Sequence, residues 1–249
     1  MAEKAVVLDL ETVPNELFPL WDEKKEDKFP PPQFHKIVTA CYSVLDSEGS
    51  LEEIVVLNED EKSIIENLAS VIGNPNFRIV TWAGRRFDIP VIMYRAMKHG
   101  IQTPWHSNHD FNNRYRNEGH FDLQDHLMHF GASNIIKLDQ FAPLIGLPGK
   151  IEVKGSDVRE LVARGNLNRV GSYCVTDVVQ TTVIFIRYAY TLGILSLDEY
   201  NDAIDSIPDY YQKVNTRTVV PDYITSKDSM VIEGLNRIFT NCKWECLRL

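Results

Sequence analysis

The chain has 249 residues, of which 44% are hydrophobic and 24% are charged, and this composition is typical of a globular protein. Lys and Arg number 26 against 35 Asp and Glu, so the formal net charge is −9. Proteins that coat duplex DNA without sequence preference are normally basic, and this balance argues against that class. No apolar run approaches the ~18 residues of a membrane span, so we expect no membrane association.

The cysteines argue against a disulfide framework or a structural zinc site. Cys41, Cys174, Cys242 and Cys246 form no C-x-x-C motif. Cys242 and Cys246 lie four residues apart, which leaves a redox or metal-binding pair open. The favoured interpretation is free thiols in a reducing compartment, and we therefore expect a cytoplasmic protein.

The N-terminal half is predicted to contain four strands and two helices, and three of the strands come before the first helix. Strands are expected over residues 5–10, 36–45, 51–57 and 77–82, and helices over 59–72 and 88–98. Prolines and a run of charges between residues 15 and 35 predict a long loop, and long loops are often functional.

The remainder of the chain is predicted to be mostly helical. After an irregular polar segment over 102–119, helices are expected over 122–130, 138–145, 157–163 and 167–192. Beyond Gly193 the pattern weakens around Pro208 and Pro221 and predicts only short helical pieces. We therefore expect an α/β domain over residues 1–192. Residues 193–249 are expected to form a helical extension that packs on this domain or is appended to it.

Two carboxylates stand together at the end of the first predicted strand. Side chains two residues apart on a strand share a face, so Asp9 and Glu11 project to the same side. Such a pair repels unless a cation lies between the two carboxylates. A strand that runs into an ordinary acidic loop explains the same residues.

Two further acidic positions have the same ambiguity. Asp88 follows Phe87 where a predicted strand gives way to a helix, and it fits both a helix cap and an inward-facing metal ligand. Tyr173 and Asp177 are four residues apart on a predicted helix, so the hydroxyl and the carboxylate face one point. That spacing is common by chance, and only the combination is specific.

The combination resembles a known family. Asp-x-Glu on the first strand, Phe-Asp at a later helix start and Tyr-x-x-x-Asp on a late helix occur in the order of the DEDD exonuclease superfamily, in its tyrosine-type (DEDDy) branch. Within this superfamily, one family is indicated by three further segments, His120–Asp125, Lys137–Gln140 and Gly146–Lys150. These segments resemble those of the predicted 3′–5′ exonucleases related to the proofreading domain of family B DNA polymerases. The similarity covers residues 5–192.

The resemblance implies a ribonuclease H-like fold, a central mixed sheet flanked by helices. It also implies that Asp9, Glu11, Asp88 and Asp177 bind two divalent cations, Mg²⁺ or Mn²⁺, which clamp the scissile phosphate. In this scheme Asp9 bridges both ions. Glu11 and Asp177 hold the ion that activates water, while Asp88 holds the other. Tyr173 orients the attacking water. The sister branch has His five residues before the last Asp, where this chain has Ser172, so the tyrosine branch is indicated.

The candidate substrate-binding residues lie beside these motifs. They are Thr12, Arg85, Arg86, Phe87 and Lys150. The two arginines suit phosphate contacts but are equally explained as solvated loop charges, and Asp122 is better explained as a helix cap than as a fifth ligand. One departure stands out, because the family usually carries Asn where this chain has Ala83, and Ala cannot hydrogen-bond to substrate through its side chain.

The sequence thus predicts a metal-dependent 3′–5′ exonuclease acting on single-stranded 3′ ends and releasing nucleoside 5′-monophosphates, with DNA favoured over RNA. A ribonuclease of the same fold is the first alternative, since readout of the 2′-hydroxyl depends on pocket shape. The second alternative is a nuclease-derived binding or scaffold module that has lost activity. No protein partner is indicated.

Overall fold

One five-stranded mixed sheet organises the molecule. The computed structural model describes residues 3–21, 29–116, 118–151, 155–217 and 225–249. The strands found there are β1 (Lys4–Pro14), β2 (His35–Leu45), β3 (Leu51–Leu57), β4 (Phe77–Thr81) and β5 (His120–Asp122). Their order across the sheet is β3-β2-β1-β4-β5, with β1, β4 and β5 parallel and β2 antiparallel to both of its neighbours. The predicted α/β class, with a central mixed sheet of the ribonuclease H-like kind, is confirmed.

The four predicted strands are present, and a fifth strand was missed. β5 contains only three residues, so it is too short to show a period-two hydrophobic pattern. The predicted hairpin between β2 and β3 is confirmed, with Gly49 in the left-handed region at its turn. β1 runs to Pro14, which places Asp9 and Glu11 inside the strand rather than at its end.

Helices cover both faces of the sheet. The three long helices that do so within the N-terminal 192 residues are α1 (Glu61–Ile72), α2 (Asp88–His99) and α7 (Leu167–Thr191). Val6, Leu8 and Leu10 of β1 share one buried cluster with α1 and α2. Ala5 and Val7, on the opposite side of the same strand, share the other with α7. The alternation of β1 therefore decides which layer each side chain enters.

The connections between these layers are short helices and turns. The helices are α3 (His109–Asn112), α4 (Leu123–Leu127), α5 (Leu138–Phe141) and α6 (Gly155–Ala163). The helices predicted over 122–130 and 138–145 are each interrupted, because a 3₁₀ turn follows α4 at His129–Gly131 and α5 at Ala142–Ile145. Part of the loop predicted over 15–35, residues 22–28, lies outside the described residues, as do residues 152–154.

The expectation of short helical pieces after Gly193 was wrong. This segment forms α8 (Leu197–Arg217) and α9 (Ser226–Asn241). Buried Tyr200, Ala203, Ile204 and Ile207 follow the i, i+3, i+4, i+7 spacing of an amphipathic helix, and Pro208 lies inside that helix. Burial of this apolar face outweighs the helix-breaking tendency of the proline. In the part of the chain that is described, no helix combines the length and the apolar character that crossing a membrane requires.

Candidate active site

The face of β1 that carries Ala5 and Val7 continues into Asp9 and Glu11. Both carboxylates therefore project toward α7, just beyond Val7, where the pairing of β1 with β4 ends. Ligand atoms of Asp9, Glu11 and Cys174 all lie within 4.8 Å of one another. The register shifts directly after Glu11, which ends regular pairing with β2 beside this cluster.

Asp88 reaches the same cluster from the opposite helical layer. It is the first residue of α2, follows Phe87 at the N-cap position and is 4% exposed. The backbone amide of Leu10 donates a hydrogen bond to its carboxylate, which ties Asp88 to the strand between Asp9 and Glu11. Asp88 therefore lies beside Asp9 and Glu11, although α2 packs on one face of the sheet and these two side chains point toward the other.

Tyr173 and Asp177 complete the group from α7. They are one turn apart, and the Tyr173 hydroxyl donates a hydrogen bond to the Asp177 carboxylate. Burial, together with the charges of Asp177, Glu11 and Asp9, raises the pKa of Tyr173 far above its usual range, so its hydroxyl stays protonated. The five residues predicted from the three motifs are therefore brought together.

The electrostatics of the site show a deficit of positive charge. Burial first, and the neighbouring carboxylates second, raise the pKa values of Asp9 and Glu11 well above their usual range. Burial raises the pKa of Asp88 and of Asp177 to about 7. Lys150 lowers the pKa of Glu11 and of Asp177 in opposition to burial.

A divalent cation fits this donor set. Mg²⁺ and Mn²⁺ prefer oxygen ligands, and a cation among the carboxylates would offset both their burial and their mutual repulsion. The four carboxylates supply hard oxygen donors from β1, α2 and α7. The residues that could hold the metal are therefore Asp9, Glu11, Asp88 and Asp177.

Cys174 is a neighbour of this site that sequence reasoning did not place there. Its Sγ lies 3.6 Å from both the backbone oxygen and the Oδ2 of Asp9. Burial raises the pKa of the Cys174 thiol well above its usual range, so the group is a neutral donor to Asp9. Its position three residues before Asp177 was the available signal, since residues i and i+3 share a helix face.

Asp122 fixes the turn that leads into Asp88. Its carboxylate accepts hydrogen bonds from the backbone amides of Ala83 (3.1 Å), Arg85 (2.9 Å) and Asp125 (3.1 Å). The third of these bonds caps α4, so the predicted helix-cap role is present, and the other two hold the strand-to-helix turn after β4. Sequence reasoning missed this second role, because the turn lies 37 to 39 residues away along the chain.

Lys150 lies at the mouth of the site. It lines a cavity of about 200 Å³ together with Tyr173, Asp177 and the Lys137–Asp139 segment. Gly149 is clamped by buried Gln180, which accepts from the Gly149 amide at 2.7 Å and donates to its carbonyl at 2.9 Å. Gln180 is three residues after Asp177 on α7, so the helix that carries the carboxylate also positions the loop that carries Lys150.

The other candidate substrate-binding residues have distinct surroundings. Thr12 Oγ1 is 2.9 Å from His35 Nδ1, and the Phe87 ring contacts the same histidine at a centroid distance of 4.8 Å. The Arg85 guanidinium donates hydrogen bonds to the backbone carbonyls of Asn112 and His120. These bonds hold the turn after β4 against the residues that precede β5 and against its first residue. Arg86 is exposed.

A family model identifies the relatives of this chain. The model of predicted 3′–5′ exonucleases related to the exonuclease domain of PolB matches residues 27–226. The chain belongs to this family. The matched region includes Asp88, Tyr173 and Asp177, but it begins after Asp9 and Glu11. It also extends beyond residue 192, to which the resemblance was limited, into the C-terminal helices.

A polymerase and a nuclease are among the solved structures to which this chain is similar. The family B DNA polymerase of the archaeon Pyrobaculum calidifontis is 17% identical over 86% of this chain and 29% of its own, with a TM-score of 0.51. E. coli exonuclease I in a zinc-bound complex with single-stranded DNA is 14% identical over 68% of this chain and 41% of its own, with a TM-score of 0.41. This exonuclease-family chain therefore spans less than half the length of either. No curated protein sequence matches it significantly.

Proposed function

We propose that the protein is a metal-dependent 3′–5′ exonuclease that hydrolyses the 3′ ends of single-stranded nucleic acid and releases nucleoside 5′-monophosphates. The observation that carries the proposal is the convergence of four carboxylates and Tyr173 from three separate elements. Membership of the exonuclease family supports it. DNA is the favoured substrate, because the family is described by its relation to the exonuclease domain of a DNA polymerase.

Asp9, Glu11, Asp88 and Asp177 would hold two Mg²⁺ or Mn²⁺ ions, with Asp9 shared between them. When bound, the ions supply Lewis acidity that stabilises negative charge on the phosphate and on the attacking and leaving oxygens. Tyr173, protonated and hydrogen-bonded to Asp177, is suited to orient the water that attacks phosphorus. Lys150 lies beside the same two carboxylates and is suited to bind a phosphate oxygen.

The deciding experiment uses single-stranded DNA and RNA oligonucleotides labelled at either end, incubated with Mg²⁺, Mn²⁺ or EDTA. A 3′–5′ exonuclease releases labelled mononucleotide at once from the 3′-labelled strand and shortens the 5′-labelled strand one nucleotide at a time. Asp9→Ala should remove nearly all of this activity. Faster loss of RNA than of DNA would instead identify a ribonuclease.

The matched control is Asp209→Ala, which removes an exposed carboxylate from α8. Mn²⁺ should raise the melting temperature of the wild type and of this control, because it binds the native state, and should raise that of Asp9→Ala less. Binding of Mn²⁺ and of strands without any cleavage by the wild type would identify an inactive nuclease-derived module. Equal cleavage by Asp9→Ala would contradict the assignment of the site.

A further inference from the structure

A second cavity opens at the same edge of the sheet as the carboxylates. It has a volume of about 380 Å³ and lies beyond the turn that follows β4. Because β1, β4 and β5 run parallel, their carboxyl ends meet along one edge, which places this cavity next to the metal site. Asp122 lines the cavity and also holds the turn that begins at Ala83. The volume is within the range of small-molecule sites.

Backbone strain marks the borders of this cavity. Among the non-glycine residues of the described part of the chain, positive φ occurs only at Ala83 (62°), His129 (50°) and Phe130 (58°). Such conformations persist where the surrounding structure enforces them, and they concentrate at functional sites. Ala83 begins the turn between this cavity and Asp88, while the left-handed His129–Phe130 pair brings Phe130 to the cavity wall.

The cavity combines a cation with aromatic rings. The Arg86 guanidinium lines it and has no hydrogen bond or ion pair with any other described residue. Tyr115 stands beside the cavity with 67% of its surface exposed, and its ring contacts that of Phe130 at a centroid distance of 4.9 Å. Arg114, which is paired with Asp125, lies 5.8 Å from the centre of the Tyr115 ring. An exposed ring held by neighbours offers a base a stacking surface at little entropic cost.

We propose that this cavity binds the nucleotide immediately 5′ of the scissile phosphate, with Arg86 on the phosphate of that nucleotide and its base stacked on the Tyr115–Phe130 pair. The inference rests on the proposed exonuclease function. Arg86 lies two residues before Asp88, so their Cα atoms are at most ~7 Å apart, which suits adjacent phosphates of one strand. A base can reach these rings only after it leaves the base stack of a duplex, which costs unstacking and unpairing energy, so the subsite would also explain a preference for single strands.

The test measures binding of a 5′-fluorescein-labelled dT10 strand by fluorescence anisotropy, in Ca²⁺ at low temperature while the strand stays intact. Tyr115→Ala should weaken binding about tenfold, the effect of losing one stacked base. Arg86→Ala should also weaken binding. It should in addition reduce the slope of log K against log salt by ~0.7, the value for one phosphate contact on a single strand. Lys62→Ala, which removes an exposed cation from α1, is the matched control and should change neither quantity.

A mutant cycle then locates the nucleotide. An abasic residue placed second from the 3′ end should weaken wild-type binding as much as Tyr115→Ala does, and it should add little to the loss in Tyr115→Ala itself. A purely structural role for Tyr115 predicts instead that the two losses add. If the slope of log K against log salt were the same in Arg86→Ala as in the wild type, this result would also contradict the proposal.

The outcomes separate this inference from the proposed function. Cleavage by the wild type, together with wild-type affinity in both variants, would overturn the subsite and leave the exonuclease assignment standing. Binding that both variants weaken as described, without cleavage of DNA or RNA by the wild type, would support the subsite and overturn the exonuclease assignment. Failure of the wild type to bind dT10 would overturn the subsite.

Discussion

Ala83 has a left-handed backbone conformation, with φ of 62°, at the start of the turn that leads to Asp88. Asn is several-fold enriched in this conformation relative to most residues, because its short polar side chain bonds locally, whereas Ala pays a steric penalty there. The resemblance to the DEDDy exonucleases implies Asn at this position. The backbone of the turn therefore suits the absent side chain, and Asp122 holds that backbone through the Ala83 amide.

Ala83→Asn should raise kcat/KM on single-stranded DNA several-fold, because one neutral hydrogen bond contributes about 1 kcal/mol. The melting temperature should not fall, since Asn tolerates the backbone conformation, and the Mn²⁺-induced shift should stay the same. Steady-state kinetics and thermal unfolding check the two effects. A fall in kcat/KM, or none beyond error, would mean that this position is not a simple missing contact.

Tyr173 should contribute less to catalysis than the carboxylates. Tyr173→Phe removes only the hydroxyl that is hydrogen-bonded to Asp177, so we expect kcat to fall roughly 10²-fold, within the range of a positioned proton-handling group. The Mn²⁺-induced rise in melting temperature should persist, because no metal ligand is lost. If the variant were as inactive as Asp177→Ala, Tyr173 would instead be needed to maintain the site.

At the scale of elements, one buried carboxylate joins two helices to the sheet. Glu61 of α1 accepts hydrogen bonds from Arg95 and His99 of α2 and from the Ile37 amide of β2. Burial alone raises the pKa of Glu61, but these hydrogen bonds outweigh it and bring the pKa below its ordinary value. Glu61 and Arg95 are 7% and 4% exposed, so solvent screens their interaction little.

Arg95→Met should lower the free energy of unfolding by about 3–5 kcal/mol, because it leaves the Glu61 carboxylate buried without its main partner. Urea denaturation measures the change. Lys62→Ala, on the helix that carries Glu61, is the control, since the exposed Lys62–Glu66 pair contributes about 0–1 kcal/mol. Equal losses in the two variants would show that the Glu61–Arg95 interaction is no stronger than an exposed pair.

The same group predicts a pH dependence of stability. A carboxyl whose folded-state pKa is lowered stabilises the protein above its unfolded-state pKa, and this contribution is lost as the pH falls through the lower folded-state value. For Glu61 the loss should begin near pH 4.3, its ordinary pKa. The melting temperature of the wild type should therefore fall more steeply below this pH than that of Glu61→Gln. Parallel curves for the two proteins would contradict the prediction.

The C-terminal helices share the hydrophobic core of the sheet. Tyr200 of α8 and Leu235 of α9 belong to the same buried cluster as Val7 of β1. α9 approaches α7 closely at Gly234, where a Cβ atom would lie 2.6 Å from Val175 Cγ1 and 2.8 Å from the Ser172 backbone oxygen. We infer that the segment beyond residue 192 unfolds together with the sheet and supports the position of α7.

Gly234→Ala should lower the free energy of unfolding by roughly 1–2 kcal/mol, because the overpacking outweighs the gain in helix propensity. It should also lower kcat, since the contact falls on the turn of α7 that carries Tyr173. Ser229→Ala, at an exposed position of α9, is the control. Chemical denaturation and steady-state kinetics check both. A stable, fully active Gly234→Ala protein would show that α9 does not constrain the active-site helix.

Local patterns were sufficient to predict most elements and the pairing of residues within them. Asp9 with Glu11 on a strand, and Tyr173 with Asp177 on a helix, follow from the period of each element alone. Two elements were not predicted correctly, because one is too short to show a periodic pattern and the other contains a proline that conflicts with its pattern. β5 has three residues, and α8 contains Pro208 although buried residues from Tyr200 to Ile207 have helical spacing.

The class of fold, the motifs and the order in which they occur can be predicted without coordinates, because they depend on residue type and on spacing along the chain. The neighbours of Asp9 and Ala83 could not be predicted in this way, because they come from distant parts of the chain. Cys174 meets Asp9 across 165 residues, and Asp122 holds the turn at Ala83 across 39. Such contacts depend on how α7 and β5 are placed against β1 and β4, and helix packing and strand order leave no periodic trace in the sequence.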